Sequence, residues 1–408
     1  GEAFSGLTGQ WVPAISNYNG GTAGVSIADF QGGTAPSGAK RFSTFDLPTP
    51  AIENPGEHFN TVLYEGNNTD GHAITGVGFA PDFVWIKDRD TTASHNVFDS
   101  VRGVTGGDKW LVPNNTDTEG QSSSTIDDTL VSLDDDGFTL DADASEQRVN
   151  YDGDIVAWCW KAGGSAVTDA DGMTKTSDSS TTSISISANP TAGFSIIKYA
   201  GNGAASTIAH GLGAVPKMII IKNINTTENW VVYHEGCGYG NYLRLDTTDD
   251  NEPDSGMWLN GSPAFSTTTF NVSAGYTKNN ESGEDYIAYV FAEVSNFSSF
   301  GSYTGNNSAT NGPFIYLGFK PALFIVKRVD TTGNWLLMDN ARNTFNPVSA
   351  RLNADSANDE STVGASNYDF TATGVKLLNN AGSSNATGGS YIYAAWAESP
   401  FASNNRAR

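Results

Sequence analysis

Two acidic stretches are the parts of the sequence best suited to bind a metal ion. The first, LDDDGFTLDADA, holds five aspartates, and the second is the short sequence DADG. Calcium prefers several oxygen ligands on one loop, so either stretch is a conceivable calcium site. Neither has the spacing of an EF-hand loop, so we interpret them as solvated turns and predict no metal site, with calcium binding left open. The residues are Asp134, Asp135, Asp136, Asp141 and Asp143 in the first stretch, and Asp169, Asp171 and Gly172 in the second.

The sequence shows no recognisable catalytic arrangement. It has neither the Gly-x-Ser-x-Gly of a nucleophile elbow nor the phosphate-binding Gly-x-x-x-x-Gly-Lys-Ser/Thr. No two histidines have the i, i+4 spacing of a zinc-protease helix. A glycosidase needs two carboxylates that face each other across a sugar, a geometry that sequence cannot test. We predict no enzyme activity, no catalytic residue and no cofactor. The histidines, expected in structural or surface roles, are His58, His72, His95, His210 and His234.

The aromatic residues are a possible source of sugar-stacking platforms. The chain has 9 Trp, 15 Tyr and 21 Phe, but most of them lie inside apolar runs, where core packing is the default. Examples are Trp85, Trp158, Trp160 and Trp396. Cys159 lies in such a run and is expected to be a small buried hydrophobe, so it and Cys237 provide no disulfide framework.

Composition restricts the possible partners. The net charge of −23 arises from few basic residues, and only 16% of the residues are charged. The chain therefore lacks the clustered Lys and Arg that bind nucleic acid or anionic lipid. No apolar run reaches the roughly 18 residues of a membrane span, and no signal peptide is visible. The first residue is not Met, so we expect either processing or a longer parent polypeptide.

A set of short motifs recurs three times in the same order. Each copy has Tyr-x-Gly-Asn, then a proline that opens an apolar run, a lysine six residues after the proline and an Asx-Thr-Thr turn. An Asn then leads a second apolar run, and each copy closes with an aromatic strand: IVAWCWKA, YIAYVFAE or YIYAAWAE. The motif residues are Tyr64, Tyr199 and Tyr303; Pro81, Pro216 and Pro321; Lys87, Lys222 and Lys327; and Asn96, Asn229 and Asn334.

These motifs predict an all-β fold of three tandem β-sandwich modules. Proline suits the first residue of a strand, and the apolar run after it indicates a strand covered on both faces. The Asx-Thr-Thr turn lets the next run pair back as a hairpin. The lysines are expected to pack their stems while their ammonium groups reach water. Because each repeat has its own set of apolar strands, we expect each to fold alone.

The predicted boundaries follow from these motifs. Residues 1–57 form an N-terminal arm, anchor or incomplete extra module that holds the apolar islands QWVPAI and FSTFDLP. Repeat 1 covers residues 58–165, repeat 2 covers 191–296 and repeat 3 covers 297–408. The Ser/Thr-rich residues 166–190 are predicted to be a linker with a strand at its end.

Parts of the chain resemble a known group of repeat domains. The segments GFAPDFVWIKDRDTTASHNVFDSVRG, DTLVSLDDDGFTL and VAWCWKAGG, and the ending YIYAAWAESPFASNNRAR, resemble repeats in virion proteins of marine tailed bacteriophages. In that family, related repeats follow a SPRY- or concanavalin-like sandwich, and their detailed role is unknown. The resemblance covers about residues 40–408, and it provides no catalytic or binding motif to carry over.

The resemblance implies a bacteriophage structural protein located in the virion. We expect a non-enzymatic tail fibre or spike whose β modules are exposed for host attachment. A capsid decoration protein or head fibre is the first alternative, and a carbohydrate-active enzyme or secreted adhesin is the second. The expected partners are further copies of the chain, as a homotrimer, other virion proteins and a host surface glycan, but neither nucleic acid nor membrane. The residues that would bind a partner are unknown at this stage.

Overall fold

Strands make up nearly all the regular structure of this chain. The structure, a computed structural model, describes residues 49–104, 109–120, 129–142, 148–176, 180–361 and 367–401. Repeat 1 contains β1 (Phe59–Gly66), β2 (His72–Thr75), β3 (Phe83–Asp88), β4 (Asn96–Asp99), β5 (Leu130–Asp134), β6 (Gly137–Leu140) and β7 (Gly153–Trp160). The segment before repeat 2 contains β8 (Val167–Lys175) and β9 (Thr181–Asn189).

Repeats 2 and 3 contain the remaining elements. Repeat 2 has β10 (Phe194–Ala200), β11 (Ser206–Ala209), β12 (Pro216–Asn223), β13 (Val231–His234), β14 (Asn241–Arg244), β15 (Glu252–Pro253), β16 (Thr269–Val272) and β17 (Asp285–Ala292). Repeat 3 has β18 (Ser298–Thr304), β19 (Phe314–Tyr316), β20 (Phe319–Arg328), β21 (Trp335–Asp339), β22 (Leu352–Asn353), β23 (Tyr368–Thr371), β24 (Gly374–Leu377), the helical turn α1 (Gly382–Asn385) and β25 (Ser390–Pro400). Short 3-10 turns span Pro55–Glu57 and Leu259–Gly261.

The large sheets share one antiparallel strand order. It is β1-β7-β3-β4 in repeat 1, β10-β17-β12-β13 in repeat 2 and β18-β25-β20-β21 in repeat 3, and β14, β15 and β22 extend the last two. A smaller group of strands accompanies each large sheet: β2-β6-β5, β11-β16 and β19-β24-β23. The predicted all-β fold class is therefore confirmed.

The strand register corrects one detail of the motif alignment. The second residue after each proline pairs with Asp99, His234 or Asp339, so these three residues occupy equivalent positions. Counted back from them, Asn229 and Asn334 lie five residues earlier, whereas Asn96 lies only three residues earlier. The Asn that leads NVFD is thus not the counterpart of the other two. The sequence match failed there because the turn of repeat 1 has a serine, Ser94, at the corresponding position.

Each large sheet is covered on both faces, as the apolar runs predict. In β3, Val84 and Ile86 pack inside repeat 1, while Phe83 and Trp85 face a core that all three repeats share. In β12, the isoleucines alternate in the same way between the interior of repeat 2 and the shared core. Alternate residues of a strand point to opposite faces, so one apolar run serves two cores.

Three aromatic rings meet at the centre of the shared core. Each closing strand contributes one: Trp160 from β7, Phe291 from β17 and Trp396 from β25. Their ring centroids are 6.5 Å apart for Trp160 and Phe291, 5.3 Å for Trp160 and Trp396, and 5.4 Å for Phe291 and Trp396. Every pair is in contact, so the repeats pack around a common centre.

Main-chain hydrogen bonds close the ring of repeats. At each contact between two repeats, one of the main-chain N–H···O bonds has its acceptor at an equivalent position, and these bonds join repeat 1 to repeat 2, repeat 2 to repeat 3, and repeat 3 back to repeat 1. The bonds run from Glu119 to Ile224 (3.1 Å), from Asn251 to Val329 (3.2 Å) and from Glu360 to Arg89 (2.8 Å). The expectation of three modules that each fold alone therefore differs from the structure, in which the described residues from 49 onward belong to one compact unit.

The predicted linker is built into repeat 2. Strands β8 and β9 of residues 166–190 pair with each other; β9 also pairs with β10, and β8 pairs with β11. The hairpin thereby connects the large sheet of repeat 2 with its small one. The expected strand at the end of the segment is present as β9, but β8 was missed because polar residues dominate VTDADGMTK.

Most of the predicted N-terminal arm, including QWVPAI and FSTFDLP, lies outside the described residues. Within residues 49–57, Ile52 is buried in the shared core, and Pro55–Glu57 form a 3-10 turn.

We predict that the protein unfolds in one cooperative transition. A fragment of residues 166–296 would expose Phe194, Ile220 and Phe291, which the other repeats bury in the whole chain. We expect calorimetry of the whole chain to show one transition with equal calorimetric and van't Hoff enthalpies. The fragment should be unfolded or aggregated by circular dichroism and sedimentation. A monomeric fragment with a native β spectrum would contradict the shared core.

Candidate functional site

Asp99 and Asp339 accept hydrogen bonds across the contacts between repeats. The Tyr289 hydroxyl of repeat 2 donates to Asp99 in repeat 1 at 2.7 Å. The Trp158 indole N–H of repeat 1 donates to Asp339 in repeat 3 at 3.0 Å. Trp158 and Tyr289 occupy equivalent positions in their closing strands, since each pairs with the fourth residue after its repeat's proline. The two hydrogen bonds are thus equivalent interactions at two contacts between repeats.

Each of these aspartates is also paired with a buried arginine. The Nε of Arg102 lies 2.5 Å from Asp99, and the Nε of Arg342 lies 2.6 Å from Asp339. Each arginine reaches a further carboxylate at 3.1 Å, Glu119 for Arg102 and Glu360 for Arg342. A buried charge left without its partner is costly, so each arginine stabilises the aspartate that accepts the hydrogen bond from another repeat.

Repeat 2 replaces the aspartate with His234. Its Nε2 lies 3.0 Å from the carbonyl oxygen of Tyr393 in repeat 3, and the N–H of Gly236 donates to its Nδ1 at 3.1 Å. The ring therefore needs the neutral form with the proton on Nε2. Ala394 occupies the position that Trp158 and Tyr289 hold elsewhere, so the closing strand of repeat 3 offers His234 no side-chain donor at that position. Burial lowers the pKa of His234 to about 4.

His95 is equivalent to Trp230 and Trp335, four residues before Asp99, His234 and Asp339 respectively. Each ring hydrogen-bonds to a main-chain carbonyl of a different repeat. The distances are 3.0 Å from His95 to Asn353, 2.9 Å from Trp230 to Val112 and 2.8 Å from Trp335 to Arg244. Burial lowers the pKa of His95 well below its usual range. His95 and His234 thus have structural roles.

The expectation that the three repeat lysines reach water was wrong. Lys87, Lys222 and Lys327 are at most 1% exposed. The ammonium group of Lys222 donates to the carbonyls of Glu228, at 2.8 Å, and Thr116 of repeat 1, at 3.0 Å. Lys327 likewise donates to its own turn and, at 3.0 Å, to Thr248 of repeat 2. Burial lowers each lysine's pKa to about 8. The sequence pattern did not predict that a neighbouring repeat would cover these lysines.

The remaining histidines also have local partners. His72 Nδ1 lies 2.7 Å from the Asn150 side chain, and His210 bonds to the carbonyl of Ser266 at 3.2 Å. His58 packs edge-on against Phe297. The four tryptophans expected in the core are buried there, as is Cys159.

The predicted acidic loops hold their carboxylates with turn donors. Asp134 accepts from Ser132 and Thr139, and Asp136 accepts from the main-chain N–H groups of Gly76 and Gly78. Asp141 accepts from Gly71, and Asp169 from the N–H of Asp171. Asp143 lies outside the described residues, and Asp135 and Gly172 lie on the same two stretches. Within the described part of the chain, no group of three or more metal-ligating side chains could hold a metal ion.

The outer face of the small sheet of repeat 3 exposes aromatic rings instead. Phe314 and Tyr316 of β19 are 48% and 66% exposed, and Phe345 is 85% exposed. Among the described residues, these are the exposed large aromatic side chains. The intervening Ile315 is buried, so β19 alternates outward aromatic and inward aliphatic side chains. The sequence FIY contains this alternation, but it is hard to distinguish from the aromatic-rich runs of the core.

Strand pairing places polar groups beside these rings. Phe314 lies opposite Lys376, which lies opposite Asp369; Tyr316 lies opposite Gly374, which lies opposite Thr371. Opposed residues share a face, so two short rows form across the sheet. We call this surface, formed by Phe314, Tyr316, Asp369, Thr371, Gly374 and Lys376, the aromatic face.

Two contacts shape the aromatic face. The ammonium group of Lys376 is held by the Asn311 side chain at 3.0 Å and by the Gly312 carbonyl at 2.6 Å. A β-carbon on Gly374 would overlap the carbonyl oxygen of Ile315, so this position must stay glycine. The residue opposite Tyr316 on the neighbouring strand therefore has no side chain beside the ring.

Comparison with known proteins identifies a family that spans all three repeats. The family model described as Domain of unknown function (DUF7483) matches residues 54–400. The chain belongs to this family. The match runs continuously from just before β1 to the end of β25, which agrees with three repeats that share one core. Searches of curated proteins and of solved structures found no match. Within the described residues, no helix is long and apolar enough to cross a membrane.

We predict that Asp339→Ala lowers the free energy of unfolding by about 3–5 kcal/mol, because buried Arg342 would lose the nearer of its two carboxylates and the Trp158 indole N–H would lose its acceptor. Asp285→Ala is the control: its carboxylate lies 3.5 Å from the ammonium of Lys198 at the surface, and both side chains are over one-third exposed. We expect the control to cost less than about 1 kcal/mol. Urea unfolding of both variants gives the comparison. Equal costs would contradict the structural role of Asp339.

We also predict acid destabilisation through His234. Its pKa of about 4 in the folded state lies below the value of about 6.5 in an unfolded chain. The unfolded state therefore binds more protons between these values, and stability falls as the pH decreases from about 6.5 to about 4. His234→Gln keeps a donor toward Tyr393 but cannot titrate, so its stability should fall less over this window. Identical slopes of unfolding free energy against pH would contradict the assignment.

Proposed function

We propose that this protein is a non-enzymatic structural protein of a bacteriophage virion, of the tail-fibre or spike type, that contacts the host surface through repeat 3. The observation that carries the proposal is the contrast between the buried polar residues and the exposed aromatic residues. The buried polar groups at the contacts between repeats, which are Asp99, Asp339, His95, His234, Lys222 and Lys327, are engaged in holding the repeats together. The exposed aromatic residues of the described chain lie in repeat 3.

The compact ring suits a particle component that must resist mechanical and environmental stress. Its shared core, the hydrogen bonds to Asp99 and Asp339 from other repeats, and the buried lysines Lys222 and Lys327 tie distant parts of the chain to one another. A net charge of −23 favours solubility and discourages nonspecific association. The resemblance to virion repeat proteins provides the biological setting, and the fold provides a rigid support for an exposed surface.

Capsid decoration or a head fibre is the main alternative. A rigid ring suits that role equally well, but such a role does not require the exposed rings of repeat 3. A carbohydrate-active enzyme or secreted adhesin is the second alternative. For an enzyme, two facing carboxylates would have to lie beside the sugar; on the aromatic face, Asp369 is the acidic residue.

Assembly into a homotrimer, together with other virion proteins, is part of the proposal. The ring already buries one apolar face of each large sheet within a single chain, so contacts between copies must use other surfaces. We expect mass photometry to show an oligomer rather than a particle near 43.1 kDa. A monomer that persists at high protein concentration would exclude self-assembly of the isolated protein.

We predict that antibodies raised against the purified protein label the tail fibres or spikes of intact particles in immunogold electron microscopy. The particles are those of the phage that encodes the chain, purified from a lysate. Labelling of the capsid would instead establish the decoration alternative. Particles that carry no label, and whose mass spectra contain none of its peptides, would overturn the virion assignment.

A further inference from the structure

Repeat 3 differs from the other repeats at the outer strand of its small sheet. The residues opposite the shared glycine position are Tyr316 in repeat 3 and Thr75 in repeat 1, which faces Gly137. A β-carbon on Gly137 would overlap a main-chain carbonyl just as at Gly374. The glycine is therefore a requirement of the scaffold, while the aromatic ring beside it is specific to repeat 3.

Among the described strands, the equivalent strand is an edge strand in repeats 1 and 3, whereas in repeat 2 another strand covers it. There the outer edge of β11 is paired with β8, and Ala205 accepts a main-chain hydrogen bond from Thr176 at 2.9 Å. Strand β19 is an edge strand, and no described strand pairs with its outer side. The aromatic face thus lies beside a strand edge that no described strand covers, whereas the corresponding edge in repeat 2 is covered by β8.

The exposed rings extend across the sheet. The Asn346 side chain bonds to both main-chain groups of Phe370 on β23, at 2.9 and 3.0 Å, and so fixes the segment that carries Phe345 at the far edge. Neighbouring strands are about 4.8 Å apart, so three spacings separate β19 from this segment by about 14 Å. The exposed residue Phe345 therefore lies beyond the edge of the small sheet opposite to β19.

We propose that the aromatic face binds a neutral surface polysaccharide, with a sugar ring stacked on Tyr316 beside Gly374. This inference rests on the proposed attachment function and specifies its ligand. The apolar face of a pyranose can pack on an aromatic ring while its hydroxyls bond to polar groups at the rim. Lys376 and Asp369 provide a donor and an acceptor beside the two rings, and the Thr371 hydroxyl, which donates to the Gly374 carbonyl at 2.9 Å, provides a further acceptor.

Size and charge favour a glycan over other occupants. A stable protein partner needs roughly 800 Å² per side, and two or three rings with a polar rim provide much less apolar area. A polyanion would be repelled by a net charge of −23. A chain of neutral sugars needs only small contacts, which the aromatic face offers.

The test measures binding of the intact protein to surface polysaccharide extracted from the host bacterium, by affinity electrophoresis, with dextran sulfate as the polyanion. The double variant Phe314→Ala and Tyr316→Ala should bind at least about tenfold more weakly, the loss typical of a buried aromatic contact. Val167→Ala, which removes another exposed apolar side chain, should bind as the wild type does. Both positions are exposed, so circular dichroism and melting should be unchanged.

Three results would overturn the inference: no retardation of the wild type by the extracted polysaccharide, equal retardation of the double variant, or stronger retardation by dextran sulfate. Binding to intact host cells separates this inference from the proposed function. Cell binding that survives periodate oxidation of the surface sugars would leave attachment standing and remove the glycan. Failure to bind cells at all would count against attachment itself.

Discussion

The contact of Trp160, Phe291 and Trp396 is the interaction on which the rest of the structure depends. Each ring comes from the closing strand of a different repeat, and that strand lies in the interior of its large sheet, paired on both sides. For the three rings to meet, every large sheet must turn one face inward. The other face is then left for the small sheet of the same repeat. Each repeat therefore contributes to two cores, its own interior and the shared core. No repeat can bury all its apolar residues alone.

The polar contacts between repeats follow from this closure. Burying the ends of the apolar strands also buries the residues beside them, which include Asp99, His234, Asp339 and the three lysines. Each of these finds a partner in its own turn or in another repeat, because an unpaired buried charge or donor would cost several kcal/mol, about 3–5 for a broken ion pair. In repeat 2, His234 occupies this position and faces a main-chain carbonyl beside Ala394. A neutral side chain therefore replaces the aspartate where no side-chain donor faces the position.

Sequence reasoning reached the strands but not their closure. Proline, apolar run and turn at fixed spacing were enough to predict the hairpins and the doubly covered strands. The same runs could not tell whether a second sheet or a second repeat provides the outer cover, so the lysines were wrongly expected in water. The hairpin β8–β9 was missed because its polar residues resemble a linker. The aromatic face was missed because Phe314 and Tyr316 differ from the core aromatics only in what covers them.

Closure is tested most directly where repeat 3 meets repeat 1. Arg89 and Glu360 are joined there by a main-chain hydrogen bond of 2.8 Å and by side-chain contacts of 3.0 Å, so their backbones lie within reach of a disulfide. The variant Arg89→Cys and Glu360→Cys, oxidised while folded, should form an intramolecular disulfide that non-reducing electrophoresis and peptide mass spectrometry detect. The wild type, with Cys159 and Cys237 alone, is the control. Thiols that stay reduced, or bridges that form only between molecules, would show that the repeats do not close into a ring.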